Sequence, residues 1–214
     1  MRLSASLASA PLTNLAQTVQ DLESAGVDYL HFDIEDGSFV PCMNLGTRLI
    51  SQLRPLSRLP FDVHLMMVNP EWLLPELKQM GADRVSVHFE ACPYPRRTLR
   101  LITDLGMTAG LAFNPATAVP DLSYLKPHLS FILILTTEPE VPDSPYLPQV
   151  LDKVRAGKQG WGADGVTWDV DGGLTAANAA DAARAGADTI VAGRGIFAEG
   201  QIARNVTALR AAVG

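Results

Sequence analysis

The sequence predicts an α/β protein of the TIM-type (β/α)8 barrel class, with residues 1–214 forming one domain. Short β-branched and apolar runs alternate with longer segments of helical period from one end of the chain to the other, which is the mark of a parallel α/β fold. Eight such cycles can be counted. The length of 214 residues suits one barrel and is enough to bury most of the surface an unfolded chain exposes. An open doubly wound sheet is the main rival, but it usually carries a glycine-rich turn after its first strand, where this chain has Ser4-Ala5-Ser6-Leu7.

Taken in order, the strands are read over Arg2–Ser6, Tyr29–Ile34, Phe61–Met66 and Arg84–His88, then Thr108–Phe113, Phe131–Leu135, Val166–Asp171 and Thr189–Ala192. Each is short, as barrel strands are, and a helical stretch is expected after each one. The helix endings recur as Ala25-Gly26-Val27-Asp28, Met80-Gly81-Ala82-Asp83, Gly162-Ala163-Asp164 and Ala185-Gly186-Ala187-Asp188. Glycine there can take the left-handed cap that stops a helix before the next strand. The proline-rich, acidic segment Thr136–Pro148 breaks the pattern and is expected to be a long loop over one end of the barrel.

Composition narrows the function. A formal charge of -6 argues against a nucleic-acid partner, which normally demands a basic patch. No stretch approaches the ~20 apolar residues that span a membrane, and the amino terminus lacks the regions of a signal peptide, so a cytoplasmic location is expected. Cys42 and Cys92 have no metal-type spacing and are read as reduced thiols.

Reactive groups of such a barrel sit at the carboxyl ends of its strands. His31-Phe32-Asp33 closes the second strand, and because alternate residues share a face, His31 and Asp33 point the same way. Asp62-Val63-His64 lies in the third strand, and Asp169-Val170-Asp171 ends the seventh, directly before Gly172-Gly173. Histidine nitrogen and carboxylate oxygen suit zinc, iron, manganese or cobalt. Metal-capable side chains converging on one barrel mouth are hard to bury without a cation, since unpaired carboxylates cost several kcal/mol each. Asp62 and Asp169 read better as salt-bridged or supporting groups than as ligands. His88 reads as a support acting with Glu90, and His128 as a solvated loop residue.

At these residues the chain resembles the ribulose-phosphate 3-epimerase family. The likeness runs in order through Ser4-Ala5-Ser6-Leu7, the run from His31-Phe32-Asp33 to Phe39-Val40-Pro41, Asp62-Val63-His64-Leu65-Met66 and Val87-His88-Phe89-Glu90. It continues through Phe113-Asn114-Pro115-Ala116-Thr117, Val170-Asp171-Gly172-Gly173 and Val191-Ala192-Gly193. The resemblance implies that His31, Asp33, His64 and Asp171 bind one divalent cation (zinc, iron, manganese or cobalt) and that Asp33 and Asp171 also exchange protons with the substrate. It further implies a substrate site containing Ser6, His64, Met66, Gly172, Gly173 and Gly193. Inverting a carbon beside a ketone needs a base on one face and an acid on the other, with the charge of an enediolate stabilised between them.

The chain departs from the family pattern at three places. Glu35 and Leu135 replace two methionines that usually join Met66, and Glu35 either faces the substrate or turns outward as a surface charge. After Thr136-Thr137-Glu138-Pro139, the run Glu140–Pro145 stands where the family has a glycine-rich phosphate loop; prolines lack amide donors and acidic groups repel an anion. Arg194, in Gly193-Arg194-Gly195, occupies the position after the eighth strand where barrels commonly bind phosphate, and is expected to compensate. A surface salt bridge is the alternative for Arg194.

The sequence therefore points to a metal-dependent 3-epimerase acting on ribulose 5-phosphate and xylulose 5-phosphate or a related ketose such as allulose 6-phosphate. It is expected to be a homo-oligomer with a small-molecule substrate and no membrane or nucleic-acid partner. A metal-dependent aldolase or decarboxylase on the same barrel, and a non-catalytic sugar-phosphate binding protein, are the competing readings.

Overall fold

The computed structural model describes residues 1–139, 144–161 and 165–214. Eight parallel strands close into one barrel in sequence order, and the last pairs with the first. They are β1 (Arg2–Ser6), β2 (Tyr29–Glu35), β3 (Phe61–Met66), β4 (Arg84–His88), β5 (Thr108–Phe113), β6 (Phe131–Leu135), β7 (Thr167–Asp171) and β8 (Thr189–Ala192). Only β2, one residue longer at its end, and β7, one residue shorter at its start, differ from the bounds read in the sequence.

The outer ring holds α1 (Leu15–Ala25), α2 (Arg48–Leu53), α3 (Leu74–Met80), α4 (Pro95–Asp104), α5 (Asp152–Trp161), α6 (Ala179–Ala185), α7 (Arg194–Phe197) and α8 (Ile202–Val213). The last two both follow β8. Between β5 and β6 the expected helical stretch is reduced to a single 3-10 turn, Ser123–Leu125. Pro115, Pro120 and Pro127 crowd that connection, and each removes an amide that a helix would need.

The recurring helix endings act as read. Gly26, Gly81 and Gly186 end α1, α3 and α6 at φ 83°, 96° and 92°, in the left-handed region. The Gly162-Ala163-Asp164 ending lies outside the described residues. The aspartate that closes each of the other three is a hydrogen-bond acceptor, with Asp28, Asp83 and Asp188 receiving the Leu3, Phe61 and Trp168 amides at 2.7, 2.8 and 2.7 Å. Each thereby fastens the start of its own strand to the strand before it. No helix among the described residues is long and apolar enough to cross a membrane. Neither Cys42 nor Cys92 is in a disulfide among the described residues, and Cys92 is buried.

Two interiors result. Apolar residues on the outward strand faces pack under the helices and form the main core, while the lumen holds a small apolar cluster of Ala112, Leu133, Leu135 and Val191 beside an array of buried polar groups. At the amino-terminal end of the lumen the Phe131 ring fills the space left by Gly110, where any Cβ would collide with it. The Arg84 guanidinium lies 3.8 Å from the Phe131 centroid. It pairs with Asp62 at 3.2 Å and also with Asp169. Both carboxylates are buried, so removing the guanidinium strands two charges in a dry interior. Arg84→Met should lower the unfolding free energy by about 3–5 kcal/mol in urea titrations, and a loss below about 1 kcal/mol would show that the carboxylates do not depend on it.

Candidate metal centre

Strand alternation and register assemble the site. Within β2 and β3, His31 pairs with Asp62, Asp33 with His64 and Glu35 with Met66, so these side chains share the lumen face in three successive layers. Asp171 enters from the end of β7. One ligand atom from each of His31, Asp33, His64 and Asp171 can be chosen so that all lie within 4.8 Å of one another.

Hydrogen bonding fixes which nitrogen each histidine turns to this point. Asp62 accepts from His31 Nδ1 at 2.8 Å and from Ser4 Oγ at 3.2 Å. An ionised carboxylate only accepts, so the proton sits on Nδ1. His31 Nε2 then faces Asp33 at 3.1 Å and Asp171 at 3.6 Å. His64 is set through a longer path. Glu90 accepts from His88 Nδ1 at 3.1 Å, and His88 Nε2 meets His64 Nε2 at 2.9 Å. Burial pushes the His88 imidazole down to about 4, so it is neutral and its Nε2 must accept. His64 therefore donates from Nε2 and presents a bare Nδ1. That nitrogen is buried, lies 3.4 Å from Asp33 and 3.8 Å from Asp171, and has no hydrogen-bond partner among the described residues.

His31 Nε2, His64 Nδ1 and two carboxylates thus meet at one point. This donor set fits a divalent cation with open coordination positions, of the kind zinc, iron, manganese or cobalt accept. The protein's own charges leave the two carboxylates unequal. Burial disfavours the charge of Asp33, but the adjacent His31 outweighs it and holds the carboxyl far below its usual range. Burial pushes Asp171 up to about 6, and the charge of Asp33 adds to this. His31 is itself raised well above its ordinary value, because Asp33 and Asp62 outweigh the effect of burial. Ser6 Oγ donates to Asp33 at 2.6 Å.

A cavity of about 320 Å³ opens above these groups. Ser6, Asp33, His64, Met66, Asp171, Gly172, Gly173, Gly193 and Arg194 all line it, as does Leu135. Gly172 adopts φ 113° with its Cα against Thr137, where a side chain would clash. Thr136 Oγ1 donates to the Gly172 carbonyl at 2.7 Å, so the ends of β6 and β7 are tied together under the cavity. Arg194 is exposed and forms no ion pair among the described residues.

The structure corrects two readings and extends others. Glu35 neither faces open substrate space nor turns outward: it is buried on the lumen side and accepts from the Asn44 amide at 2.8 Å. His128 is half-buried and lies 3.3 Å from Thr103 Oγ1 rather than being fully solvated. Asp62 and Asp169 support and pair, as expected. Glu140–Asp143 of the altered loop lie outside the described residues, while Glu138, Pro139 and Ser144 reach the cavity. Sequence reasoning missed Asn44 and Thr137 in the cavity wall and Arg84 beneath it. For Arg84 a signal existed: an arginine opening a short strand on the same face as Ser86 and His88.

The family model described as "Ribulose-phosphate 3 epimerase family" matches residues 2–197. A ribulose-phosphate 3-epimerase of Synechocystis sp. is 37% identical over 209 residues, covering 96% of this chain and 91% of its own length. One of Bacillus subtilis is 32% identical over 213 residues, with 98% of each chain covered. Among solved structures, 3-hexulose-6-phosphate synthase from Salmonella typhimurium superposes with a TM-score of 0.70 at 14% identity, covering 100% of this chain and 98% of that one. That likeness is one of fold.

The path through Glu90 and His88 makes a checkable claim about cation binding. His88→Leu should weaken zinc affinity about 10–100-fold in calorimetric titrations. Unchanged affinity would show that His64 needs no such partner.

Proposed function

This chain belongs to the ribulose-phosphate 3-epimerase family, and from that premise we propose that it inverts carbon 3 of a ketose phosphate, interconverting ribulose 5-phosphate and xylulose 5-phosphate or a related ketose such as allulose 6-phosphate. The observation that carries the reading is the convergence of Asp33 and Asp171 with two imidazole nitrogens at the floor of the cavity. His31, Asp33, His64 and Asp171 would hold the divalent cation. When bound, it would act as a Lewis acid toward the substrate's carbonyl and neighbouring hydroxyl oxygens, offsetting the charge that develops there.

The protein's own groups carry the proton chemistry. One aspartate removes the proton from carbon 3 on one face, and the other delivers a proton to the opposite face; the roles exchange for the reverse reaction. The protein's own environment holds Asp33 well below the usual carboxylate range and raises Asp171, so the two carboxyls differ in proton affinity, as a base and an acid working as a pair require. Ser6 holds Asp33 in orientation through its 2.6 Å hydrogen bond. Met66 and Leu135 give the reacting end an apolar boundary that limits water. At the other end Arg194, with Gly172, Gly173 and Gly193, would receive the phosphate.

The reading includes residues 1–214 working as one domain, in the cytoplasm, as a homo-oligomer. No observation favours the aldolase alternative, because the likeness to a synthase at 14% identity concerns the fold.

Proton-exchange NMR of the zinc- or manganese-loaded protein in deuterated water tests the reaction. Deuterium should enter carbon 3 of a ketose phosphate without carbon–carbon cleavage, and aldehyde products would overturn the reading. Asp33→Asn and Asp171→Asn should each slow exchange by about 10²–10⁴-fold, as expected for loss of a general acid or base. Arg194→Ala should raise KM for the phosphorylated ketose far more than for its unphosphorylated form; equal effects would remove Arg194 from the phosphate site.

A further inference from the structure

Lys153 lies half-buried in the first turn of α5, the helix that follows β6. An ammonium has three hydrogens to donate, and this one directs them to one short stretch of the loop after β5. The carbonyls of Asn114, Pro115 and Thr117 accept from Nζ at 2.9, 2.8 and 2.6 Å. Three carbonyl oxygens converging on one point repel one another, so this loop conformation depends on the positive group at its centre. Burial pushes the Lys153 ammonium below its ordinary value, and the charge of Glu90 works against this.

The other side of the clasped loop faces the metal centre. β4 and β5 pair in register with His88 beside Ala112, which carries Glu90 and Asn114, each two residues further on, to the same height. There the Asn114 amide donates to Glu90 Oε1 at 2.9 Å, while Glu90 Oε2 accepts from His88 Nδ1 at 3.1 Å. Burial would raise the Glu90 carboxyl, yet hydrogen bonds from His88, Thr117 and the Asn114 amide hold it down at about 2. Two of those three donors belong to the segment that Lys153 grips. His88 Nε2 in turn meets His64 Nε2 at 2.9 Å. The ammonium thus stands at the far end of a continuous series of contacts that ends on a candidate metal ligand.

We propose that Lys153 is a positioning residue for the metal centre: by clasping the loop after β5 it holds Asn114 and Thr117 against Glu90, and through Glu90 and His88 it fixes the orientation of His64. This rests on the reading of His64 as a ligand and adds to it a support from a helix on the outside of the barrel. Lys153 acts on how firmly the site holds its cation, without touching cation or substrate.

Two signals test this, one of them independent of metal. In NMR of the metal-free protein labelled at histidine nitrogen, the bonded His88 Nδ1 proton should be resolved far downfield, and Lys153→Met should move or abolish that resonance. In calorimetric titrations the same variant should bind zinc about 3–10-fold more weakly, less than the loss of about 10–100-fold typical of removing a ligand's direct partner. Glu90→Gln should change both signals, and the double variant should bind zinc no more weakly than Glu90→Gln alone, as for residues acting in one series. Lys158→Met, on the same helix but paired with Asp188 at 2.6 Å, controls for a general loosening of α5 and should leave both signals in place. A folded Lys153→Met with either signal unchanged, additive zinc losses in the double variant, or equal changes in Lys158→Met would overturn the proposal. Should Lys153→Met not fold, Lys153→Gln, which keeps an amide group to donate, should change the same signals in the same direction and is judged by them. Should the wild type take up no zinc, the metal-centre reading falls, and the His88 resonance alone decides whether Lys153 holds Glu90 and His88 in place.

Discussion

Four aspartates, Asp33, Asp62, Asp169 and Asp171, share the barrel lumen with a single guanidinium, and that imbalance organises the molecule. Arg84 is the one buried arginine or lysine among the described residues, and its position at the start of β4 lets it answer the two lower carboxylates, Asp62 and Asp169. Asp33 and Asp171 lie above its reach. They lie instead beside the imidazoles of His31 and His64, four ligand-capable groups gathered closely enough to hold one cation.

The layers of the lumen are therefore different in kind. The lowest is a packed plug in which Phe131 occupies the room left by Gly110 and Arg84 lies against its ring. The middle layer consists of polar groups committed to one another: Ser4, His31 and Asp62 on one side, and His64, His88 and Glu90 on the other. Because each of those bonds determines where a proton sits, the middle layer sets the chemistry of the top. The closed sheet holds these partners in fixed register, so the site is built on strands rather than on mobile loops, and the loops are left to shape what enters.

Much of this was legible in the sequence because the relevant signals are local. A polar residue ending a short apolar run marks a strand terminus, and a period of two places His31 with Asp33 and Asp169 with Asp171. The Gly-x-Asp endings similarly marked where helices stop, although the bonds of Asp28, Asp83 and Asp188 to neighbouring strands became visible only in three dimensions. What escaped depended on partners distant in sequence. Arg84 has meaning only beside Asp62 and Asp169, which lie 22 residues before it and 85 after it. Glu35 was readable as a lumen-facing position or as a surface charge until the path of the loop carrying Asn44 decided it. The missing helix between β5 and β6 had its signal in three prolines, outweighed by the expectation of a regular repeat.

Metal content tests the account most directly, because the four side chains gathered in the upper lumen could hold one cation. Elemental analysis after equilibrium dialysis against zinc should find one equivalent bound to the wild type and a much reduced amount bound to a folded His64→Ala variant. A wild-type protein that is folded yet takes up no cation, or a variant that retains its full equivalent, would contradict it.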